Sequence, residues 1–219
     1  MVDSKAWNWD IVEGTHKQYW QEPATESYYL INRWLSQNKK DFLDLGCGLG
    51  RHTIQFAKAG FKVSGFDLSE VSIRKTEEYA KQSGVSVDLK VGDMLDLLYD
   101  DNSFDCIYCR NVISHTDTAG MKKIVSELKR VLKKDGECYL TLGSKQTWGY
   151  KQDWPVVDEN TKIRVEDGPE NGIPHFYADY ELIQELFKDF QIIKIFHIED
   201  FIMKKQVISS FHYHVLIKK

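Results

Sequence analysis

The stretch Asp44-Leu45-Gly46-Cys47-Gly48-Leu49-Gly50 decides how this chain folds, because it joins a short apolar strand to a helix through three glycines. Phe42 to Leu45 has the compact apolar pattern of a strand, and Thr53 to Ala59 has the spacing of a helix. Glycines at a strand-to-helix turn permit positive φ and let a ligand lie directly against the backbone. We therefore expect a ligand-binding loop at the carboxyl end of a parallel strand.

The spacing of these glycines excludes two common nucleotide-binding loops. In the dinucleotide fingerprint the third glycine comes three residues after the second, and Arg51 stands at that position here. No Lys-Ser/Thr pair follows the glycines, so the loop is not a P-loop. The Asp44 carboxylate beside the loop suits a ligand with positive charge, and Asp67 at the end of the second strand suits the hydroxyls of a ribose. The expected ligand has a ribose and a cationic end but no diphosphate, and Asp67 should face it and contribute little to folding.

Strand and helix patterns alternate from this loop up to Leu142, which predicts a parallel sheet with helices on both faces. Further strands are expected at residues 61–66, 85–91, 104–109 and 137–142, with helices at residues 69–82 and 124–132, the second ended by Asp135-Gly136. Asp179 is expected to cap a last helix that continues to Phe190. Two strand-like runs, Gln191 to Phe201 and Val207 to Ile217, then follow so closely that they must pair antiparallel.

Two segments of the 219-residue chain fit none of this alternation, although the length predicts a single domain, residues 1–219. Residues 1–40 are expected to form an N-terminal helical lid, and residues 145–179 an insertion after strand five that also acts as a lid. All six tryptophans lie in these segments, where aromatic faces attract a cation and exclude water. Tyr19 and Trp20 are the expected cofactor-side members of the lid, and Trp34 is expected only to pack a helix against the sheet.

Composition excludes several partners. A net charge of −4 and the absence of a basic stripe argue against nucleic acid, and no apolar run is long enough for a membrane span. The expectation is a cytoplasmic monomer or homodimer, without a signal peptide pattern.

Cys106 and Cys109 lie three apart on a strand and so point to opposite faces, and His212 and His214 have no acidic neighbour in sequence. No metal site is predicted.

Four motifs in order resemble those of the class I S-adenosylmethionine-dependent methyltransferases, in particular their small-molecule branch. They are residues 43–52 (LDLGCGLGRH), residues 65–69 (GFDLS), residues 91–94 (VGDM) and residues 104–115 (FDCIYCRNVISH). The resemblance covers residues 41–144 well and the last helix and hairpin more loosely. It implies a Rossmann-like sheet of seven strands, mainly parallel with the last strand antiparallel, with helices on both faces and the third strand at one edge.

The same resemblance implies S-adenosyl-L-methionine as cofactor and assigns its contacts. Asp44 and the glycines would line the methionine and the sugar, Asp67 would bind the ribose, and Asp93 with Met94 would border the adenine. The full expected set is Tyr19, Trp20, Asp44, Gly46, Cys47, Gly48, Gly50, Arg51, Asp67, Leu68, Asp93, Met94, Arg110 and Asn111.

The expected activity is methyl transfer to O, N or S of a small molecule. The residues after strand four lack the Asn/Asp-Pro-Pro-aromatic motif of amino-methylating nucleic-acid enzymes, and a Pro-Cys nucleophile is absent from the sequence. His115 and His175 are the candidate catalytic bases. Two alternatives stay open: a non-catalytic, regulatory S-adenosylmethionine binder and a nicotinamide-dependent oxidoreductase, the latter disfavoured by Arg51 and Asp44.

Overall fold

The computed structural model describes residues 2–12, 20–203 and 207–219. Its α-helices are α1 (Thr25–Ser36), α2 (Arg51–Lys58), α3 (Glu70–Ser83), α4 (Thr118–Val131) and α5 (Tyr180–Leu186). Its strands are β1 (Asp41–Leu45), β2 (Lys62–Asp67), β3 (Asp88–Val91), β4 (Phe104–Cys109), β5 (Leu132–Ser144), β6 (Val156–Asp158), β7 (Thr161–Ile163), β8 (Pro174–Ala178), β9 (Gln191–Met203) and β10 (Val207–Lys218). Short 3-10 helices occur at Trp9–Ile11 and Trp148–Lys151.

Seven strands form the main sheet in the order β3-β2-β1-β4-β5-β10-β9. The first five strands pair in parallel, whereas β10 pairs antiparallel with both β5 and β9. The predicted mixed sheet, with the third strand at one edge and an antiparallel last strand, is thus confirmed. Strands β1 and β4 are adjacent, but the chain continues from β1 toward β2 on one side and from β4 toward β5 on the other. The carboxyl ends of β1 and β4 are therefore separated by a crevice, which is where ligands bind in open α/β sheets.

The segment 145–179 contains more regular structure than its sequence indicates. Strands β6, β7 and β8 pair antiparallel, and the end of β8 pairs in parallel with β5 at Gly143 and Ser144. These strands have three to five residues each, too short for an alternating apolar pattern to stand out in the sequence. They extend the main sheet to ten strands.

Apolar side chains cover both faces of the sheet. Cys109 belongs to a large cluster under α4 and α5, while Cys106 belongs to a second cluster with Phe42 and Trp34 of α1. The two cysteines therefore lie on opposite faces, as predicted. Trp34 is fully buried and its indole Nε1 donates a hydrogen bond to Glu137 of β5 at 2.8 Å, so its packing role is confirmed.

Side-chain caps fix where three helices begin. Ser69, Asp117 and Asp179 each accept a hydrogen bond from a backbone N–H in the first turn of α3, α4 and α5. The end of α4 differs from the prediction, because buried Leu132 pairs with Phe104 and starts β5 before the Asp135-Gly136 signal. The last helix is also shorter than predicted, since α5 ends at Leu186. No helix in the described ranges is both long and apolar enough to cross a membrane.

Candidate functional site

A cavity lies at the carboxyl ends of β1, β2 and β4, and its walls surround about 900 Å³ of space, including its mouth. The glycine loop after β1 forms its floor. Five residues of the N-terminal segment, between Ser4 and Trp9, also line it. The lining residues are Ser4, Lys5, Ala6, Trp7, Trp9, Trp20, Asp44, Leu45, Gly46, Cys47, Gly48, Leu49, Arg51, His52, Phe66, Asp67, Leu68, Gly92, Asp93, Met94, Arg110, Asn111, Val112 and His115.

Two glycines let the loop adopt its shape. Gly46 has φ +74°, and a Cβ there would lie 2.3 Å from Cγ2 of Val112, so no larger residue fits. Gly48 has φ +54°, and a Cβ there would lie 3.0 Å from the Trp9 ring. Residues 46–49 of the loop line the cavity, as expected for a loop against which a ligand lies.

Asp67, at the end of β2, holds the loop in this shape. Its Oδ2 accepts a hydrogen bond from the Gly48 N–H and its Oδ1 accepts one from the Ser69 N–H, each at 2.9 Å. Burial raises the pKa of Asp67, although these backbone hydrogen bonds oppose the shift. The carboxylate retains lone pairs on the cavity side, because each oxygen can accept two hydrogen bonds.

Asp44 is the second carboxylate of the cavity wall and is 2% exposed. The Thr53 hydroxyl of α2 donates to its Oδ2 at 2.6 Å. Burial raises the pKa of Asp44 to about 6, despite this hydrogen bond and the nearby charge of Arg51. A buried carboxylate with a raised pKa is a group whose charge a cationic ligand would stabilise.

The turn after β4 supplies a further wall. Asn111 has φ +57°, a conformation that asparagine tolerates better than most residues. Its N–H donates to Oγ1 of Thr141 at 2.8 Å, and that hydroxyl lies 3.0 Å from Asn111 Oδ1. Arg110 is held by Glu26 of α1, with Nε donating to Oε1 at 2.6 Å. These contacts fix the backbone that faces the loop.

The opposite end of the cavity follows β3. Asp93 accepts a hydrogen bond from the Leu95 N–H at 2.9 Å and so fixes its own turn, with Met94 beside it. Phe66 and Gly92 complete this end, which combines apolar surface with one carboxylate. Its character suits a flat ring with polar edges.

Aromatic side chains of the N-terminal segment pack over the cavity. The Trp7 and Trp9 ring centroids are 5.0 Å apart, and Trp20 contacts both rings edge-on. The Arg51 guanidinium lies 4.8 Å from the Trp20 centroid. Tyr19, the other expected lid residue, is outside the described residues.

No residue of the second expected lid segment, 145–179, is among the residues that line the cavity. Its tryptophans, Trp148 and Trp154, pack against each other with centroids 5.6 Å apart and are not among the lining residues. Residues 169–171 do approach the N-terminal segment: the Asn8 N–H donates to the Pro169 carbonyl at 3.4 Å, and Lys5 Nζ donates to the Asn171 carbonyl at 3.2 Å.

His115 and His175 meet at the edge of the cavity, with ring centroids 5.0 Å apart. Glu170 lies between them: its Oε1 is 3.9 Å from His115 Nε2 and its Oε2 is 3.7 Å from His175 Nε2. Burial, with the neighbouring charges of His175 and Arg164, lowers the pKa of His115 to about 3. Burial alone would raise the pKa of Glu170, but His175, Arg164 and His115 together hold it at about 2. His115 is therefore neutral and Glu170 charged near pH 7.

Twelve of the expected cofactor residues line this one cavity. Gly50 does not: it packs on α3, where a Cβ would lie 2.7 Å from Cγ2 of Thr76. The sequence also gave no sign of Ser4, Lys5 or Ala6, because no pattern indicates how an N-terminal segment folds back. All four cysteines lie in the described part of the chain, buried and without a disulfide bond.

Comparison with known proteins is consistent with this geometry. Residues 42–136 match the family described as a methyltransferase domain. A sterol 24-C-methyltransferase of Gibberella zeae is 32% identical over 121 residues, which cover 54% of this chain and 31% of that enzyme. The norajmaline N-methyltransferase of Rauvolfia serpentina is 33% identical over 99 residues, covering 44% of this chain and 33% of that enzyme. The chain thus spans about a third of the length of these relatives.

A solved structure supports the fold over nearly the whole chain. The S-adenosylmethionine-dependent methyltransferase of Methanosarcina mazei superposes with a TM-score of 0.74 and 21% identity, covering 90% of this chain and 98% of that one. At this identity the likeness concerns the fold. Residues 1–40 and 145–179 are therefore described from this chain alone.

Proposed function

We propose that this chain, whose residues 42–136 match the methyltransferase domain family and whose fold is that of an S-adenosylmethionine-dependent methyltransferase, transfers the methyl group of S-adenosylmethionine to a small molecule. One observation carries the proposal: Asp44, Asp67 and residues 46–49 of the glycine loop all line a single cavity. In this proposal one carboxylate binds the ribose and the other faces the cationic methionine end.

The proposed binding mode follows the cavity from end to end. The adenine would lie between Asp93, Met94 and Phe66, and the ribose hydroxyls would donate to Asp67. The methionine amine would lie near Asp44, on the side of the β4 turn that includes Asn111. Cys47, Leu68, Arg51 and Arg110 complete the proposed contacts as cavity walls.

In this proposal the protein accelerates the reaction chiefly by position. The acceptor lone pair attacks the sulfonium methyl in line, the C–S bond breaks, and the electron pair goes to sulfur, leaving S-adenosylhomocysteine. Proximity and orientation can supply about 7–11 kcal/mol of barrier reduction. Trp7, Trp9 and Trp20 would exclude water and face the sulfonium with aromatic surface.

His115 and His175 are the proposed proton acceptors for an acceptor group that must lose a proton. A pKa of about 3 makes His115 a poor base near neutral pH, because catalytic bases work best with a pKa close to the operating pH. Its position on the cavity wall suits orientation of the acceptor better. His175 is not among the residues that line the cavity.

A small acceptor is supported by the relatives, whose names concern a sterol and norajmaline, and by the lack of a basic stripe in the sequence. Those names also include a carbon and a nitrogen methylation. The experiment therefore tests carbon as an acceptor atom in addition to the O, N or S that the sequence predicts.

Titration calorimetry with S-adenosylmethionine, S-adenosylhomocysteine and NAD tests the cofactor. We expect both sulfur ligands to bind and NAD to give no heat, whereas binding of NAD alone would overturn the proposal. Transfer of a radiolabelled methyl group into a pool of small metabolites tests catalysis. Cofactor binding without transfer into any fraction would favour a regulatory binder instead.

A further inference from the structure

The cluster of His115, Glu170 and His175 has a geometry that the proposed methyl transfer does not require. The ligand atoms of the three side chains all lie within 4.8 Å of one another. His115 comes from the turn after β4, Glu170 from the loop before β8, and His175 from β8 itself. It is the one group of metal-ligating side chains with this spacing among the described residues.

The hydrogen bond of His175 fixes which of its nitrogens faces the cluster. Its Nδ1 is 3.0 Å from the Ile173 carbonyl oxygen, which can only accept, so Nδ1 carries the proton. In the neutral ring, Nε2 then presents a lone pair toward Glu170. Histidines that bind metals commonly donate their other ring N–H to a carbonyl in this way.

The spacing inside the cluster is too wide for direct hydrogen bonds but suits an ion at its centre. The separations from Glu170 to the two imidazoles, 3.7 and 3.9 Å, exceed the normal range of a hydrogen bond. Bonds of about 2.0–2.2 Å to a central metal bring ligand atoms within about 3.4 Å of one another. Each side chain needs to move by less than about 1 Å to meet this geometry.

Arg164 orients the carboxylate rather than replacing the ion. It pairs with Oε2 of Glu170 and, at 2.9 Å, with Oε2 of Glu166, which leaves Oε1 of Glu170 directed at His115. Two carboxylates against one guanidinium leave one negative charge in this network. A cation at the cluster would compensate it.

We propose that His115, Glu170 and His175 bind a divalent transition metal at the edge of the cavity. Two imidazoles and one carboxylate form a donor set suited to Zn²⁺, Fe²⁺ or Co²⁺ and less suited to Mg²⁺ or Ca²⁺, which prefer oxygen ligands. Three protein ligands leave a coordination position open, and His115 is part of the cavity wall. The open position therefore faces the space where the methyl acceptor would bind.

The metal would favour methyl acceptors that carry a hydroxyl or a thiol, and this step rests on the proposed function. A hydroxyl or thiol bound to the metal loses its proton to solvent more easily, because the ion stabilises the anion. The anion's lone pair then attacks the methyl carbon, and the C–S pair returns to sulfur.

Metal binding is tested directly, without reference to turnover. Protein prepared without a histidine tag and stripped with chelator is titrated with Zn²⁺ by calorimetry and with Co²⁺ by visible absorption. We expect one equivalent to bind, with cobalt bands of a nitrogen–oxygen site. His175→Ala and Glu170→Gln should each weaken Zn²⁺ binding at least tenfold. Glu166→Gln, which removes a charge beside Arg164 but no ligand, should bind Zn²⁺ within threefold of the parent.

Each variant is also titrated with S-adenosylhomocysteine as a check on folding. Unchanged binding of that ligand with lost metal binding supports the site. Failure of the parent to bind one equivalent of either ion, or unaltered affinity in both ligand variants, overturns the inference. If the parent binds S-adenosylhomocysteine but no metal, only this inference falls; if it binds no S-adenosylhomocysteine, the proposed function falls instead.

Discussion

Asp67 combines two tasks at the residue scale, since the carboxylate proposed for the ribose also holds the loop that would bind the rest of the cofactor. Replacing it with alanine removes two backbone-to-carboxylate hydrogen bonds as well as the proposed ribose contacts. Hydrogen bonds to a charged group contribute about 1.5–3 kcal/mol each. For Asp67→Ala we expect S-adenosylhomocysteine affinity, measured by calorimetry, to fall at least tenfold and the urea midpoint to fall as well.

This differs from the sequence expectation that Asp67 contributes little to folding. Asp67→Asn offers a matched comparison, because the amide keeps the shape and one acceptor oxygen and should give intermediate effects. Alanine at the exposed Asp96 should change neither measurement. Full cofactor affinity in Asp67→Ala would show that the ribose does not bind at Asp67. An unaltered urea midpoint would show that the hydrogen bonds from Asp67 to the loop do not contribute to stability.

Asp44 leads to a prediction about pH. Its pKa is about 6 when folded, against an ordinary value of 3.8, so the folded state binds its proton more tightly. At pH values below 3.8 this carboxyl is protonated in both states and does not affect the free energy of unfolding. As the pH rises from there through 6, the free energy of unfolding falls by on the order of 3 kcal/mol, because the unfolded state loses the proton more readily. Ligand-free Asp44→Asn should therefore be more stable than the parent at pH 7.5, with the difference shrinking toward pH 4.

Urea unfolding of both proteins across this pH range provides the measurement, and S-adenosylhomocysteine titration provides the contrast. If Asp44 faces the methionine amine, the asparagine variant should bind more weakly while it unfolds later. A stability difference that does not change with pH would show that burial does not raise the pKa of Asp44.

At the scale of elements, a carboxylate of β5 contributes to the attachment of α1 to the sheet. Glu137 of β5 accepts hydrogen bonds from Arg33 Nε and Nη2 and from Trp34 Nε1, at 2.7–2.8 Å. Burial would raise the pKa of Glu137, but these partners lower it. Breaking a buried pair from one side leaves the other charge uncompensated, which typically costs about 3–5 kcal/mol.

We therefore expect Glu137→Gln to lower the free energy of unfolding by an amount in that range, as measured by urea denaturation at pH 7. The exposed pair of Glu77 and Lys81 on α3 is the control, since removing such a surface contact changes stability by less than about 1 kcal/mol. Equal effects at the two sites would show that α1 is held by its apolar face alone.

The sequence identified elements best where periodicity and end signals agree. Asp179 and Ser69 begin their helices as predicted because a cap is a local interaction. The Asp135-Gly136 signal misplaced the end of α4, since pairing of Leu132 with Phe104 is a contact across the sheet that no local pattern records. The same limit explains β6 and β7, whose strands are held by neighbours rather than by their own alternation.

The candidate site shows the same division between local and distant information. That Asp44, Asp67 and the glycines line one cavity could be predicted, because they lie at the carboxyl ends of adjacent parallel strands. Glu170 could not, because its approach to His115 depends on how the whole segment 145–179 folds back over the sheet. The Arg164–Glu170 pair likewise has no sequence signature.

At the scale of the whole molecule, the burial of all four thiols makes a simple prediction. Burial raises the pKa of every cysteine, and only the thiolate reacts with disulfide reagents. The native protein should therefore react negligibly with a thiol-specific chromogenic reagent, whereas the same sample in guanidinium chloride should release four equivalents. Rapid reaction of a thiol in the native state would show that a sheet face or the glycine loop opens readily.

The tryptophans form two groups, and the fluorescence of only one group is expected to change when the cofactor binds. Trp7, Trp9 and Trp20 surround the cavity, while Trp148 and Trp154 form a separate pair beyond it. If the N-terminal segment is the lid, S-adenosylhomocysteine should change the fluorescence of the first group. Trp7→Phe/Trp9→Phe should lose most of the response, and Trp148→Phe/Trp154→Phe should keep it.

Calorimetry on the same variants separates a lost signal from lost binding, because phenylalanine keeps the apolar surface and should weaken affinity only a few-fold. A response carried instead by Trp148 and Trp154 would mean that the insertion closes over the cofactor and that the N-terminal segment is a fixed wall. The acceptor would then enter from the N-terminal side, and the cluster of His115, Glu170 and His175 would move with the closing segment. That outcome would reverse the direction from which we expect the substrate to approach the methyl group.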